Sequence, residues 1–477
     1  MRRERKRLLL FAVAAVIVCS SCGTHQPAQP AGAHQAAAIA ADCAVPGSAL
    51  PTGVTRIYIA VRNGIDGTGR SANDARDGST ATAFDTLLRC YAEGCGPSIP
   101  RTENLVACLG PGTFQTMGSY DAYITVPHLT PNGFTINRGW KIHGQGPDVT
   151  TVQLSGFHPI TDPANPQHLP VGTASNVVFD TISHSAANIE ISDLTIDANY
   201  PALKQLADAS GVLALNLQAI HLWSAQGGNW VHNVNIIHAA GEVGALDEDN
   251  EAFIVMLNSA LPNSTPTDSR GNVVENVTLG QFGGGDCTAI AIGNSVAEVR
   301  NNLVDGYQIG YGGWSLGSAS FHDNVARNTT YGFNIDTFDN QGVSIESNRI
   351  SVSHGYGIVV GGGASYKNLN ISGNTFVIND AATTGILFQG GVVHSTVAGN
   401  AFEAQVPGGV AIRNFSNGPL ATINDLNTYQ SNRIDSGLSV LFEAPSLRPL
   451  NCAFGNHDEK GNPRGDLPDT TSVPCIP

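Results

Sequence analysis

The sequence predicts an all-β protein, a right-handed parallel β-helix of about ten coils with a short helical cap at its N-terminal end. Two periodic markers carry that expectation. From about residue 175 onwards an apolar residue, two spacers and an Asn recur: Val273…Asn276, Val299…Asn302, Phe321…Asn324, Ile345…Asn348, Ile371…Asn374 and Val397…Asn400. Asp425 stands in place of the next Asn, and the Asn-to-Asn intervals run from 22 to 26 residues. A small residue followed by alternating apolar positions keeps step: Thr288-Ala-Ile-Ala-Ile, Gly313-Trp-Ser-Leu, Gly332-Phe-Asn-Ile, Gly357-Ile-Val-Val, Gly385-Ile-Leu-Phe and Gly409-Val-Ala-Ile. Each period therefore holds short strands of period two between turns rich in Gly and Asn.

A unit of this kind has an inward apolar face that it cannot bury alone. Stacking coil on coil at about 4.8 Å pairs each strand with the next and closes the core. Asn at the turn suits a left-handed backbone there, and a column of side-chain amides can hydrogen-bond from coil to coil. β-Branched residues and Gly fill the windows, which excludes helical repeats, and a β-propeller needs periods nearer 40 residues. The intervals from Asp193 to Asn233 to Asn276 are longer, so those coils carry protruding segments at residues 199–211, 247–251 and 261–271. Such insertions on a regular solenoid are where function concentrates.

The N-terminus predicts export. Residues 1–7 are basic, and residues 8–18 are eleven apolar residues in a row. That is short of the roughly 20 needed to span a bilayer and matches the apolar region of a secretory signal. Cys19-Ser20-Ser21-Cys22-Gly23 resembles a lipobox, with Cys19 where lipoproteins usually carry Leu. Cys22 is the expected lipidation site; ordinary cleavage nearby is the alternative. Residues 1–22 then form the signal. Residues 23–42, mostly Ala, Gln, Pro and Gly, form a flexible tether. The product is a membrane-anchored lipoprotein, periplasmic or on the cell surface, or a secreted protein where the Cys is not lipidated.

Residues 43–155 read as the cap and first coils, 156–445 as the parallel β-helix and 446–477 as a tail. Within the cap, Arg56-Ile-Tyr-Ile-Ala-Val is a strand, residues 83–91 a short amphipathic helix, and Asn104-Leu-Val-Ala-Cys-Leu a further strand. Cys43, Cys90, Cys95 and Cys108 can form two bridges in an oxidising compartment, with the pairing open, and Cys452 can pair with Cys475 across the tail. Cys287 stands alone as a buried thiol. The formal charge of −15 understates the acidity, because five of the 24 basic residues leave with the signal. An acidic surface poor in Lys argues against nucleic acid. The chain is expected to be a monomer.

The order of these elements, with a Gly110-Pro-Gly-Thr-Phe turn and a Gly144-Gln-Gly turn, is similar to the start of many pectate-lyase-like bacterial β-helices. Gly285-Asp286-Cys287-Thr288-Ala289-Ile290 resembles the Gly-Asp-Asp-Cys-x-Ala-Ile segment of polygalacturonase-type hydrolases. One coil later, Gly310-Tyr311-Gly312-Gly313-Trp314-Ser315-Leu316-Gly317 resembles that family's Gly-His-Gly-x-Ser-x-Gly segment. Gly332-Phe333-Asn334-Ile335-Asp336 stands where the family has Arg-Ile-Lys. Only Asp286 carries over. The resemblance implies a pectin-lyase-like fold and a carbohydrate ligand, without the hydrolase residue set.

The strand pattern supplies candidate residues. With Phe333 and Ile335 inward, Asn334 and Asp336 face outward and Asp339 follows in the turn; Gln389 and Arg413 share that face on neighbouring coils. The turn ahead of the strands holds Asp286, Asp305, Tyr311, Tyr331, His354 and Tyr356 on successive coils, and Trp314 aligns with inward positions. Asp336, Asp339, Asp286 and His354 are the candidates for proton transfer; Tyr311, Tyr331, Tyr356, Asn334, Gln389 and Arg413 are candidates for sugar contact. His221 and Trp223, on an outward-looking strand, form a candidate sugar platform. Asp247, Asp249 and Glu251 offer hard oxygen ligands for calcium, the one cofactor the sequence suggests. The leading reading is polysaccharide cleavage by a hydrolase or lyase. A glycan-binding or scaffold protein without catalysis is the alternative, and each candidate also has a structural reading as a solvated turn or packing residue.

Overall fold

A computed structural model describes residues 43, 52–60, 75–77, 81–120, 133–161, 170–181, 187–223, 227–242, 252–258, 271–293, 296–314, 318–336, 342–361, 366–415, 426–442 and 451–467. Residues 37–477 belong to one compact unit. That unit is a right-handed parallel β-helix. One parallel ladder of ten strands runs from Thr173–Asp180 through Ala214–Trp223, Ala252–Asn258, Cys287–Gly293, Ile309–Trp314 and Val325–Asp336 to Ser439–Phe442. A second runs from Thr55–Ala60 to Cys452–Phe454. The third starts at Gly112–Thr116 and reaches Arg433–Ile434. Their inward residues form one continuous apolar core.

Helix α1 (Ala81–Glu93) packs into the same core through Phe84, Leu88, Tyr91 and Ala92, with Phe84 5.5 Å from Phe114 and 5.6 Å from Phe134 between ring centres. Its Asp85 is buried. The carboxylate accepts from the Thr116 hydroxyl at 2.6 Å and from the Met117 N–H at 2.8 Å. Burial raises this carboxyl from 3.8 to about 7, against the opposing effect of those two hydrogen bonds and of Arg89. Cys43 pairs with Cys108 and Cys90 with Cys95, which resolves the pairing that the sequence left open. Cys452 is disulfide-bonded, and Cys475 lies outside the described residues. Cys287 is buried.

The Asn column is present, in a register partly different from the one predicted. Asn302, Asn324, Asn348, Asn374, Asn400, Asn432 and Asn456 form a ladder, each Nδ2 donating to the next Oδ1 at 2.9–3.0 Å. Each Oδ1 also accepts the backbone N–H of the Asn before it. The left-handed residue is not the ladder Asn but the one ahead of it: Asn301, Asp323, Ser347, Gly373, Gly399, Ser431 and Gly455 all have φ between 53° and 66°. Asn276 is itself left-handed, so Val277 occupies the ladder position there. Asn432, 32 residues beyond Asn400, takes the place assigned to Asp425, which lies outside the described residues.

The small-residue marker also slips. The strand register sets Ile309 opposite Tyr331, so the mate of Gly332 is Gly310 rather than Gly313; likewise Ala411, not Gly409, is the mate of Gly385. Gly332 must be Gly: a Cβ there would stand 2.5 Å from both the Gly357 carbonyl oxygen and Ile350 Cγ2 in the core.

Candidate functional site

The ten-strand ladder presents one outward column that runs His221, Met256, Ala291, Gly312, Asn334, Val359, Leu387 and Arg413. Met256, Val359 and Leu387 are buried although they face away from the core, so the strip is recessed. Asn334 and Arg413 are its half-exposed polar members, and the Arg413 guanidinium lies 5.2 Å from the centre of the Phe415 ring.

The register overturns two sequence assignments. Tyr311 pairs with Ile290 and Phe333, which places it in the core column. It is fully buried, its ring stacks on Phe333 at 4.8 Å, and its hydroxyl donates to the carbonyl oxygens of Asn302 at 3.0 Å and Val325 at 3.1 Å. Tyr311 is therefore no sugar contact. A slip of an odd number of residues exchanges the faces of a strand, and the three-residue slip from Gly310 to Gly313 misplaced Tyr311 and Trp314 together. Trp314 is half-buried and outward, over Gly293. Phe253 and Trp314 start five ladder positions apart, yet their rings meet at 5.2 Å. Both rings lie outside the apolar core, and the alternation is broken just after Phe253, where Ile254 and Val255 both enter the core.

A second aromatic pair stands at the start of the strands. Tyr331 and Tyr356 are register mates, half-buried, and stacked with centres 5.6 Å apart. Burial, then Tyr356 and the Asp286 carboxylate, push the Tyr331 phenol above its ordinary range. Asp286 is exposed and lies ahead of the strand Cys287–Gly293, two coils before Tyr331. On the other side His354 holds a left-handed backbone, φ 59°, with its side chain 81% exposed. Its N–H donates to Asp380 Oδ2 at 2.6 Å, and its Nδ1 lies 3.3 Å from the same oxygen. Burial alone would raise the Asp380 carboxyl; the His354 and Ala382 N–H groups and the Thr383 hydroxyl outweigh it and hold the group below its ordinary range. The imidazole thus sits beside an ionised carboxylate that can orient it.

Two residues of this row escaped sequence reasoning. Asp380 comes from the next coil, so no local spacing links it to His354. Glu242 follows Gly241, which bridges in parallel to Gly285, directly ahead of Asp286. Glu242 accepts from the Tyr200 hydroxyl at 2.6 Å and from the Leu215 N–H at 3.0 Å, and meets Lys204 at 3.5 Å. Tyr200 and Lys204 belong to helix α2 (Tyr200–Ser210), which fills the insertion predicted at residues 199–211. Its length was the only sequence signal.

The remaining candidates separate from this group. His221 is on the outward column but only 3% exposed, with Nε2 2.6 Å from the Phe253 carbonyl oxygen, so it offers no platform. Trp223 ends its strand at the backbone level. Asp305 pairs with Arg327 at 2.9 Å. Gln389 is exposed and its side chain covers Gly361, whose backbone pairs with that of Asp336. Asp339, Asp247, Asp249, Glu251 and Cys22 lie outside the described residues. Among the described residues no group of three His, Cys, Asp or Glu side chains is placed to hold a metal ion, and no helix is long and apolar enough to cross a membrane.

No protein-family profile matches the sequence, and no curated protein matches it. In fold the chain is similar to a mutant tailspike protein of E. coli bacteriophage HK620 in complex with pentasaccharide, at 11% identity and a TM-score of 0.52, over 84% of this chain and 66% of that one. A double mutant of the same tailspike gives 12% identity and a TM-score of 0.50, over 79% and 62%. The A-module of an Azotobacter vinelandii mannuronan C-5 epimerase gives 12% identity and a TM-score of 0.42, over 79% and 94%.

Proposed function

We propose that this protein is an exported, carbohydrate-active enzyme that cleaves a polysaccharide along the outward face of its ten-strand ladder. One observation carries the reading: two half-buried aromatic pairs, Phe253 with Trp314 and Tyr331 with Tyr356, stand outside the apolar core, and the Tyr331 phenol feels the charge of the exposed Asp286. Flat aromatic faces suit the C–H faces of sugar rings, and a carboxylate within reach of them can transfer a proton to or from a glycosidic oxygen or a ring carbon. Asp286, His354 held by Asp380, and Asp336 at the strand end are the proposed acid–base groups. Asn334, Gln389 and Arg413 are the proposed contacts to substrate hydroxyl or carboxylate groups. The solved tailspike with its bound pentasaccharide supports a glycan as the ligand of this fold.

Incubation with a polysaccharide panel tests the proposal. Absorbance at 235 nm reads the unsaturated uronate of a lyase, and a reducing-end assay reads either kind of cleavage. Product from at least one substrate is expected; a blank on both assays across a broad panel, with binding retained, replaces catalysis by glycan binding alone. Anchoring through an acylated Cys22 belongs to the same proposal. Cys22→Ala should move the protein from the membrane fraction to the soluble one, and unchanged fractionation would remove the anchor.

A further inference from the structure

A different face of the coil stack carries a fixed, exposed indole. On the second ladder the outward residues of Lys141–His143, Glu190–Asp197, Trp230–Ile237, Asn272–Glu275 and Val296–Arg300 form a ribbon of charge. Lys141 Nζ lies 3.2 Å from Glu190 Oε2, and His232 Nε2 lies 3.1 Å from Glu190 Oε1. Arg300 reaches Glu275 and Glu298, both at 2.6 Å. Trp230 stands within this ribbon and is 38% exposed. Its ring lies on the His232 imidazole, centres 3.9 Å and planes 25° apart, as residues i and i+2 of a strand share a face. The indole N–H donates to Glu275 Oε1 at 2.9 Å.

These contacts fix the ring in both tilt and rotation and leave much of it to water. Ordering a mobile aromatic is part of what binding costs, and here that cost is met by the fold. A rigid, open indole suits the C–H face of a pyranose, while the carboxylates and imidazole at its edge can meet hydroxyl groups. The charge balance narrows the ligand. Lys141 and His232 are paired with Glu190 and Arg300 with Glu275 and Glu298, so even with His232 protonated three cations face three carboxylates and these residues hold no surplus positive charge for a polyanion. We infer that Trp230 is a platform for a neutral pyranoside chain, on a face separate from the outward face of the ten-strand ladder. The inference rests on the polysaccharide reading above and adds a second contact site to it.

Native electrophoresis through gels containing galactomannan, mixed-linkage β-glucan or polygalacturonate tests it. Wild type should be retarded in at least one neutral gel, Trp230→Ala should lose that retardation, and Trp230→Phe should keep most of it. All three proteins should migrate alike in polygalacturonate. Trp230→Ala migrating as wild type in the neutral gels, or a wild type that neither neutral gel retards, overturns the platform. Loss confined to polygalacturonate overturns the neutral ligand, and a changed oligomeric state in Trp230→Ala assigns the indole to contact between copies. Thermal midpoints of both variants check the fold, which an exposed side chain should leave nearly unchanged. Release of product from the panel is read separately. Product with no Trp230 effect fails this inference alone, and retardation without product fails the cleavage reading alone.

Discussion

Two turns of the coils, the Asn ladder between the second and third ladders and the approach to the ten-strand ladder, are built on opposite principles. At the Asn ladder each of the five inner amides repeats the same arrangement, two donated and two accepted hydrogen bonds, from Asn324 to Asn432. At the start of the strands the residues vary: Glu242, Asp286 and the buried Tyr307 share one column, and Thr288, Ile309, Tyr331, Tyr356 and Thr384 share the column two residues further on. A repeated residue in a solenoid does the stacking, since every coil meets the same neighbour. A residue that breaks the repeat and is exposed, as Asp286 is, is not required by that repeated stacking. On the proposed function, the Asn turn supplies stability and the start of the ten-strand ladder supplies the chemistry.

The largest effect should come from breaking the repeating Asn turn. Asn348→Ala leaves the Asn324 N–H, the Phe321 carbonyl and one amide contact on each side without partners in the core. At about 1–3 kcal/mol per buried unsatisfied group, the loss is on the order of 3 kcal/mol or more. Denaturant unfolding should show it as a lower midpoint. A midpoint equal to that of wild type would mean that the ladder is ornament.

A smaller effect should appear at α1. The folded-state pKa of Asp85 lies near 7, above its ordinary 3.8. Between those values the folded chain binds a proton that the unfolded chain has lost, so stability falls as pH rises from about 4 to 7. Asp85→Asn removes the titration and keeps an oxygen to accept the Met117 N–H, while its Nδ2 donates to the Thr116 hydroxyl instead of accepting from it. Its thermal midpoint should vary less over that window than the wild-type midpoint, by a few degrees; parallel profiles would remove Asp85 from the account. The smallest expected effect is calcium at residues 247–251: a slight rise of the midpoint in millimolar calcium, reversed by chelator, with indifference to both removing the ion.

The repeat was legible because stacking forces it. Ladder Asn residues, alternating strands and inward apolar positions recur at intervals that sequence alone reveals. Register was legible less well. Gly310, Gly312 and Gly313 lie within four residues, any of them fits the small-residue marker, and the wrong choice exchanged Tyr311 with Trp314. Asn276 slipped by one for the same reason, since both ladder and left-handed positions accept Asn. The stacked Tyr331 and Tyr356 were legible because they fall in step two residues before Phe333 and Ile358. Asp380 and Glu242 were not, because each reaches the row from another coil and only the fold brings them there.

Asp286→Asn tests the division of labour most directly, with turnover and thermal midpoint measured on one preparation and Asp336→Asn beside it as a second carboxylate of the proposed site. Both replacements keep shape and remove charge. The exposed Asp286 should leave the midpoint within about a degree of wild type while turnover on the active polysaccharide falls at least about tenfold. Asp336→Asn, at the far end of its strand, tests the wider proposed site rather than that row, and should also lower turnover. For Asp286→Asn, full turnover with an unchanged midpoint would contradict the assignment of chemistry to the start of the ten-strand ladder, and a lowered midpoint would show that this turn, too, is there to hold the coils together.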